Sequence, residues 1–176
     1  MSLFLFETKV EENQLTKDQL QDKVKGIQTK LKELDASLIE VQIAKDLSQL
    51  FLIIETNEAD QVAQLIGEED FEIKLQKEVR LVGEDLEKVK AQNDSVNYVV
   101  EWNLPEHLTM EQYLERKKQN SVHYAEVPEV SFARTYVCED MTKCLCFYDA
   151  PDEAAVKRAR EAVKAPIDAI TELGEN

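Results

Sequence analysis

Two stretches of this chain run through the same succession of side-chain periodicities, and that restricts the possible folds more than any single motif does. Leu3-Phe4-Leu5-Phe6-Glu7 lies over Asn97-Tyr98-Val99-Val100-Glu101 at an offset of 94, matching an apolar strand and a glutamate. Next come Thr16-x-x-Gln19 and Thr109-x-x-Gln112 at an offset of 93. In both, a Thr hydroxyl and a Gln amide three residues on form a capping box, the local signal for a helix start. Residues 42–56 then align with 136–150, again at 94, as two strands flanking a polar turn with Asp46 over Asp140. Helical spacing follows at Ala59, Val62, Ala63 and Ile66, and at Val156, Ala159 and Val163, before final strands near 72–82 and 167–173. In each copy the order of periods is strand, helix, strand, strand, helix, strand. The chain therefore reads as a tandem duplication of a βαββαβ unit, residues 1–83 and 97–176, with a charged linker at 84–96.

A βαββαβ unit folds into a four-stranded antiparallel sheet with both helices on one face. The first long helix supports this, since Leu20, Val24, Ile27, Leu31 and Leu34 make one apolar stripe that is too short for a stable coiled coil. The expected fold class is α+β: two such sheets packed face to face as a pseudo-dimer, with a cavity between them. Strict alternation along the strands puts Ile39, Val41 and Ile43 on one face and Leu38, Glu40 and Gln42 on the other. In the second copy Ala133, Thr135 and Val137 face the helices, and Phe132, Arg134, Tyr136 and Cys138 face the cavity. Cys144, Cys146 and Tyr148 share one face of the next strand, but the hairpin register leaves open which one.

Acidic residues outnumber basic ones, 36 to 21, in both halves of the chain. That field repels phosphate backbones and anionic lipid, and there is no basic stripe to offset it, so nucleic acid and membrane surfaces are not expected partners. The apolar start at Leu3 runs at once into Glu7 and reads as a strand rather than a secretory signal. Three cysteines, all between 138 and 146, do not make a disulfide framework. A cytoplasmic location follows as the expectation.

The chemistry-bearing residues are few. Glu7 and Glu101 sit inside strands, where a buried carboxylate needs a partner, for which Arg134 and Glu40 are candidates. His123 is one of two histidines and is suited to a borderline cation together with a carboxylate or thiolate. The other, His107, reads as a solvent-exposed turn residue. Cys144 and Cys146 lie two apart on one strand face, and small cysteines commonly just fill such positions. The tyrosines, among them Tyr136 and Tyr148, serve packing or line a pocket. No Gly-rich phosphate loop or nucleophile elbow is present.

The segments Thr135-Tyr136-Val137-Cys138, Cys146-Phe147-Tyr148-Asp149-Ala150-Pro151 and Ala165-Pro166-Ile167 carry a resemblance. Over residues 97–174 the chain resembles the small bacterial ferredoxin-like family of nickel-responsive proteins. Glu101, Tyr136, Cys146, Tyr148, Ala150, Pro151 and Pro166 stand at the matching positions. The resemblance implies a ferredoxin-like fold, paired units and binding of nickel or a similar divalent ion. The first half keeps Glu7 but has Gln42, Leu52 and Asn57 in place of the Tyr, Cys and Pro, so it reads as a degenerate copy.

The functional expectation is a non-enzymatic binding protein, a monomer with an internal pseudo-dimer or a homodimer of it. It would hold a divalent metal through His123, Glu101 and Cys146, or a small ligand through Glu101, Arg134, Tyr136, Tyr148 and Glu7. Two alternatives are a small cofactor-independent oxygenase or isomerase using the same cavity, and a structural interaction module.

Overall fold

The computed structural model describes residues 2–10, 15–91 and 96–174. Residues 92–95 of the expected linker lie outside the described residues. Its contacts divide the chain into two units, one running through Val79 and the other starting at Arg80.

The first unit runs β1 (Ser2–Val10), α1 (Lys17–Leu31), β2 (Ser37–Ile43), β3 (Gln49–Thr56), α2 (Ala59–Glu68) and β4 (Phe71–Val82). Its strands lie in the order β2-β3-β1-β4, and the β1–β3, β1–β4 and β2–β3 pairings are antiparallel. The second unit opens with a short helix α3 (Leu86–Ala91) within the expected linker, which the sequence left open between a short helix and an extended connection. It continues with β5 (Tyr98–Asn103), α4 (Met110–Asn120), a 3₁₀ turn (Ser121–Glu126), β6 (Ser131–Cys138), β7 (Lys143–Asp149), α5 (Glu153–Ala162) and β8 (Ala169–Glu172). Its strand order, β6-β7-β5-β8, is the same as in the first unit. Both units are thus α+β and ferredoxin-like in topology.

The local causes recur along with the topology. Gln19 N donates to Thr16 Oγ1 at 3.2 Å and Thr16 N donates to Gln19 Oε1 at 2.8 Å, and Thr109 and Gln112 repeat the exchange at 3.1 Å both ways. Each box satisfies N–H groups that a helix start otherwise leaves open. In the β2–β3 turn Asp46 Oδ1 accepts from both the N–H and the hydroxyl of Ser48, and in the β6–β7 turn Asp140 Oδ1 accepts the same pair from Thr142. The residue between, Leu47 or Met141, takes a left-handed backbone in both turns, with φ +65° and +62°.

Each helix layer buries one apolar stripe. Leu20, Val24, Ile27 and Leu31 of α1 pack with Phe6, Leu52 and Ile54, each contributing roughly 2 kcal/mol of apolar burial. In the second unit Val100, Trp102, Tyr113, Val137, Cys144, Cys146, Tyr148, Val156 and Ala159 form the corresponding cluster. Five consecutive residues, Leu50 to Ile54, are buried, as are Cys144 to Tyr148. Both faces of these central strands are therefore withdrawn from water.

The alternation expected for β2 and β6 needs one correction, the same in both. The register shifts between Leu38 and Glu40, and again between Phe132 and Arg134. The extra residue of a bulge reverses the facing of everything before it. Leu38 and Phe132 consequently join the helix-side clusters, whereas Glu40, Gln42, Arg134 and Tyr136 stay on the opposite face.

Candidate functional site

The residues singled out from the sequence are distributed over both faces of the second sheet. Val100 pairs with Cys146 and Glu101 with Leu145 across β5 and β7. Cys146 belongs to the helix-side cluster, so Glu101 points away from it. Glu101 instead forms an ion pair with Lys143, both side chains about 15% exposed. His123 sits on the 3₁₀ turn, its Nδ1 2.6 Å from Glu126 Oε2 at the surface. Hence His123, Glu101 and Cys146 do not close on one ion. Among the described residues no three His, Cys, Asp or Glu side chains form a group suited to a metal.

The expected ligand set divides in the same way. Arg134 and Tyr136 are buried on the face of Glu101, with the Arg134 guanidinium 5.8 Å from the Phe147 ring centre. Tyr148 lies on the helix side. Glu7 is the corresponding buried acid of the first unit.

The helix side of the second unit contains a pocket of about 30 Å³ between α4, the 3₁₀ turn, the end of α5 and the strands. A single water occupies roughly 10–15 Å³ on this measure, so the space admits a group of a few atoms. Helix α5 sets its position. Asp152 caps the helix by accepting from Ala155 N at 2.8 Å, and Val156, Ala159, Arg160 and Val163 then fall on one buried face. The helix ends in a Schellman motif, with Ala165 N donating to Arg160 O and Lys164 N to Glu161 O, and Lys164 in the left-handed region at φ +56°. Arg116 Nη2 of α4 donates to the Lys164 carbonyl at 2.9 Å, tying the two helices together at the rim.

Arg160 is the unusual member. It is 2% exposed, and its Nη1 donates to the Tyr148 hydroxyl at 3.1 Å and its Nη2 to the Pro166 carbonyl. The Tyr148 hydroxyl is in turn 2.6 Å from that of Tyr124. Both acceptors are neutral, and Nε has no hydrogen-bond partner among the described residues. Burial pushes the Tyr148 and Tyr124 phenols up, so neither supplies a negative charge near neutral pH. Burial works against the guanidinium, but the sulfur of Cys146 and the phenol of Tyr148 outweigh it and hold Arg160 protonated.

Among the described residues, the charged ones lining this pocket are Arg116, Lys117, Arg160 and Lys164, without a carboxylate, in a chain of net charge −15. Cations in the last turns of α4 and α5 complement the helix dipoles, which accounts for the sign of the rim residues. It does not account for a guanidinium withdrawn from water with no carboxylate partner among the described residues, since buried arginines are almost always paired.

The sequence reading missed Arg160, although a signal for it was present. Arg160 falls four residues after Val156 and three before Val163, inside the apolar stripe that defined the helix. A charge at such a position marks a buried site.

The second unit is thus a ferredoxin-like α+β module with a cation-lined pocket beneath its helices. Residues 98–173 match the family model described as nickel responsive protein, SCO4226-like. Among solved structures, a candidate chlorite dismutase is similar over 99% of this chain and 95% of its own, with a TM-score of 0.60 and 11% identity. Two candidate monooxygenases are similar as well. The one from Lactobacillus acidophilus has a TM-score of 0.54 and 10% identity, covering 99% of this chain and 94% of that one. The one from Fusobacterium nucleatum has a TM-score of 0.51 and 11% identity, covering 97% and 90%. At these identities the likeness establishes the fold and no activity. A search of curated proteins finds no match. No helix among the described residues is long and apolar enough to cross a membrane.

Proposed function

We propose that this chain is a binding protein and that its second unit takes a small anion in the pocket between α4, the 3₁₀ turn and α5. The carrying observation is Arg160, buried without a carboxylate partner among the described residues and held only by neutral acceptors. An anion of about two to four heavy atoms, such as a short carboxylate, nitrate or bicarbonate, fits the space and supplies the missing charge. Arg116, Lys117 and Lys164 at the rim raise its local concentration against the acidic surface. In this reading the chain is a tandem duplication of one ferredoxin-like unit. The first unit is a degenerate copy with no Cys or Arg at the equivalent places, since Leu52 stands for Cys146 and Ile66 for Arg160.

Calorimetry and thermal unfolding with acetate, nitrate, bicarbonate and phosphate, at matched ionic strength because general screening also stabilises so acidic a chain, test the reading. At least one small anion binds and stabilises the wild type, and Arg160→Gln abolishes the effect. No binding by any of them, or equal binding to Arg160→Gln, overturns it.

The family match favours a second reading, in which the same unit responds to nickel or a similar divalent ion. The thiols of Cys144 and Cys146, side by side on β7, are the groups softest toward such an ion. Titration with nickel, zinc, copper and cobalt separates the readings: a metal that binds tightly, and is lost in Cys144→Ser, supports this one.

A further inference from the structure

Counting donors and acceptors orients the two hydroxyls beside Arg160. Among the described residues the Tyr148 hydroxyl has two partners, Arg160 Nη1 at 3.1 Å and the Tyr124 hydroxyl at 2.6 Å. A guanidinium carries donors only, so Tyr148 accepts from Arg160 and cannot give its own proton there. Tyr148 is fully buried and lies outside the lining of the pocket, so water does not take that proton either. Buried hydroxyl protons are bonded, which leaves the Tyr124 oxygen as the acceptor. Arg160 therefore donates to Tyr148, Tyr148 donates to Tyr124, and the proton of Tyr124 is left over. Tyr124, unlike Tyr148, lines the pocket. Its ring is held in place, stacked on Phe132 at 5.2 Å and 14° and edge-on to Tyr148 at 5.9 Å.

The pocket thus receives a charge from Arg160 and a fixed neutral donor from Tyr124, and Tyr148 links the two. The remaining lining includes the apolar surfaces of Trp102, Tyr113, Val163 and Ala165. We infer that the ligand is a short aliphatic monocarboxylate of the acetate type, and that Tyr124 is the residue that selects it. The guanidinium of Arg160 attracts the carboxylate, the Tyr124 hydroxyl donates to its second oxygen, and the methyl group lies against the apolar lining. This rests on the reading that the pocket takes an anion, and adds which anion and how it is told from others of equal charge. A halide has a single centre and cannot sit at its best distance from both donors. Formate presents the two oxygens but buries no methyl group, which is worth about fourfold in affinity.

The chain has a single tryptophan, Trp102, and it lines the pocket, so its fluorescence reports occupancy of this site. The experiment titrates the full chain with acetate, formate and chloride, by calorimetry and by Trp102 fluorescence, with bulkier sulfate holding the ionic strength constant. Acetate binds about fourfold more tightly than formate, and both bind more tightly than chloride. Tyr124→Phe keeps the stacked ring and removes only the hydroxyl. It weakens acetate and formate about tenfold, the worth of a hydrogen bond to a charged group, and chloride less than twofold. An infrared difference spectrum on adding acetate shows one tyrosine C–O band shifting as its hydroxyl comes to donate to a charged oxygen, and the shift is absent in Tyr124→Phe. A residue that only shaped the pocket would not produce that band. Unchanged acetate affinity in Tyr124→Phe, equal losses for acetate and chloride, or formate binding more tightly than acetate overturns the inference. In each of those cases, binding that Arg160→Gln abolishes leaves the anion reading standing. No anion binding to the wild type overturns both. The order of the three anions and the infrared shift are read on the wild type, so they decide the matter even where a variant fails to fold.

Discussion

Replacing Arg160 by Met probes the central claim, because it removes a buried cation while keeping an unbranched side chain. Two contributions are lost. The bond from Nη1 leaves Tyr148, whose hydroxyl keeps Tyr124, and the bond from Nη2 leaves the Pro166 carbonyl. Together these are worth about 2–3 kcal/mol. Against them stands the desolvation of a guanidinium without a carboxylate partner, several kcal/mol, which the thioether does not incur. The balance puts Arg160→Met within about 1 kcal/mol of wild type, measured by urea unfolding without added ligand. Breaking a buried ion pair would instead cost about 3–5 kcal/mol. With an anion at a hundred times its dissociation constant, wild type gains about 2.7 kcal/mol and the variant gains nothing. A loss of 3 kcal/mol or more in the ligand-free variant, or equal stabilisation of both by the anion, would refute the reasoning.

Thr109→Ala removes one half of the α4 capping box and lowers stability by about 1 kcal/mol in urea unfolding, and Thr16→Ala does the same for α1. Gly83→Ala costs about 1–2 kcal/mol by the same measurement, since φ there is +90° and a Cβ would meet the Phe132 ring at 3.2 Å. The hydroxyl and N–H of Ser48 hold the Asp46 carboxyl below its ordinary value, so its contribution is present above pH about 4 and is lost as pH falls through the folded-state value. Asp46→Asn is accordingly less stable than wild type at pH 7, and the gap narrows in unfolding curves taken below pH 4.

Much of the helix-side architecture was legible in the residues because its determinants are local. The capping boxes at Thr16 and Thr109, the stripe from Leu20 to Leu31 and the turns at Asp46 and Asp140 each depend on neighbours within a few positions. The candidate metal set failed for the opposite reason. Glu101 and Cys146 belong to different strands, and whether they meet depends on a cross-strand register that no local pattern encodes. Glu101 pairs with Leu145 and turns toward Lys143, one face away from the thiols.

By itself the sequence determined the repeated order of strands and helices, the position of each helix start, and the presence of one charge inside the α5 stripe. Those properties follow from periodicity and capping, which act over three or four residues. Only the tertiary structure decided which side chains share a face. One bulged residue near Ile39 and another near Ala133 reverse the facing of Leu38 and Phe132, and the packing of α5 on β7 brings Arg160 to Tyr148 and Cys146. A sheet transmits such a one-residue shift to every side chain beyond it, so the pocket belongs to the assembled unit and not to any segment of the chain.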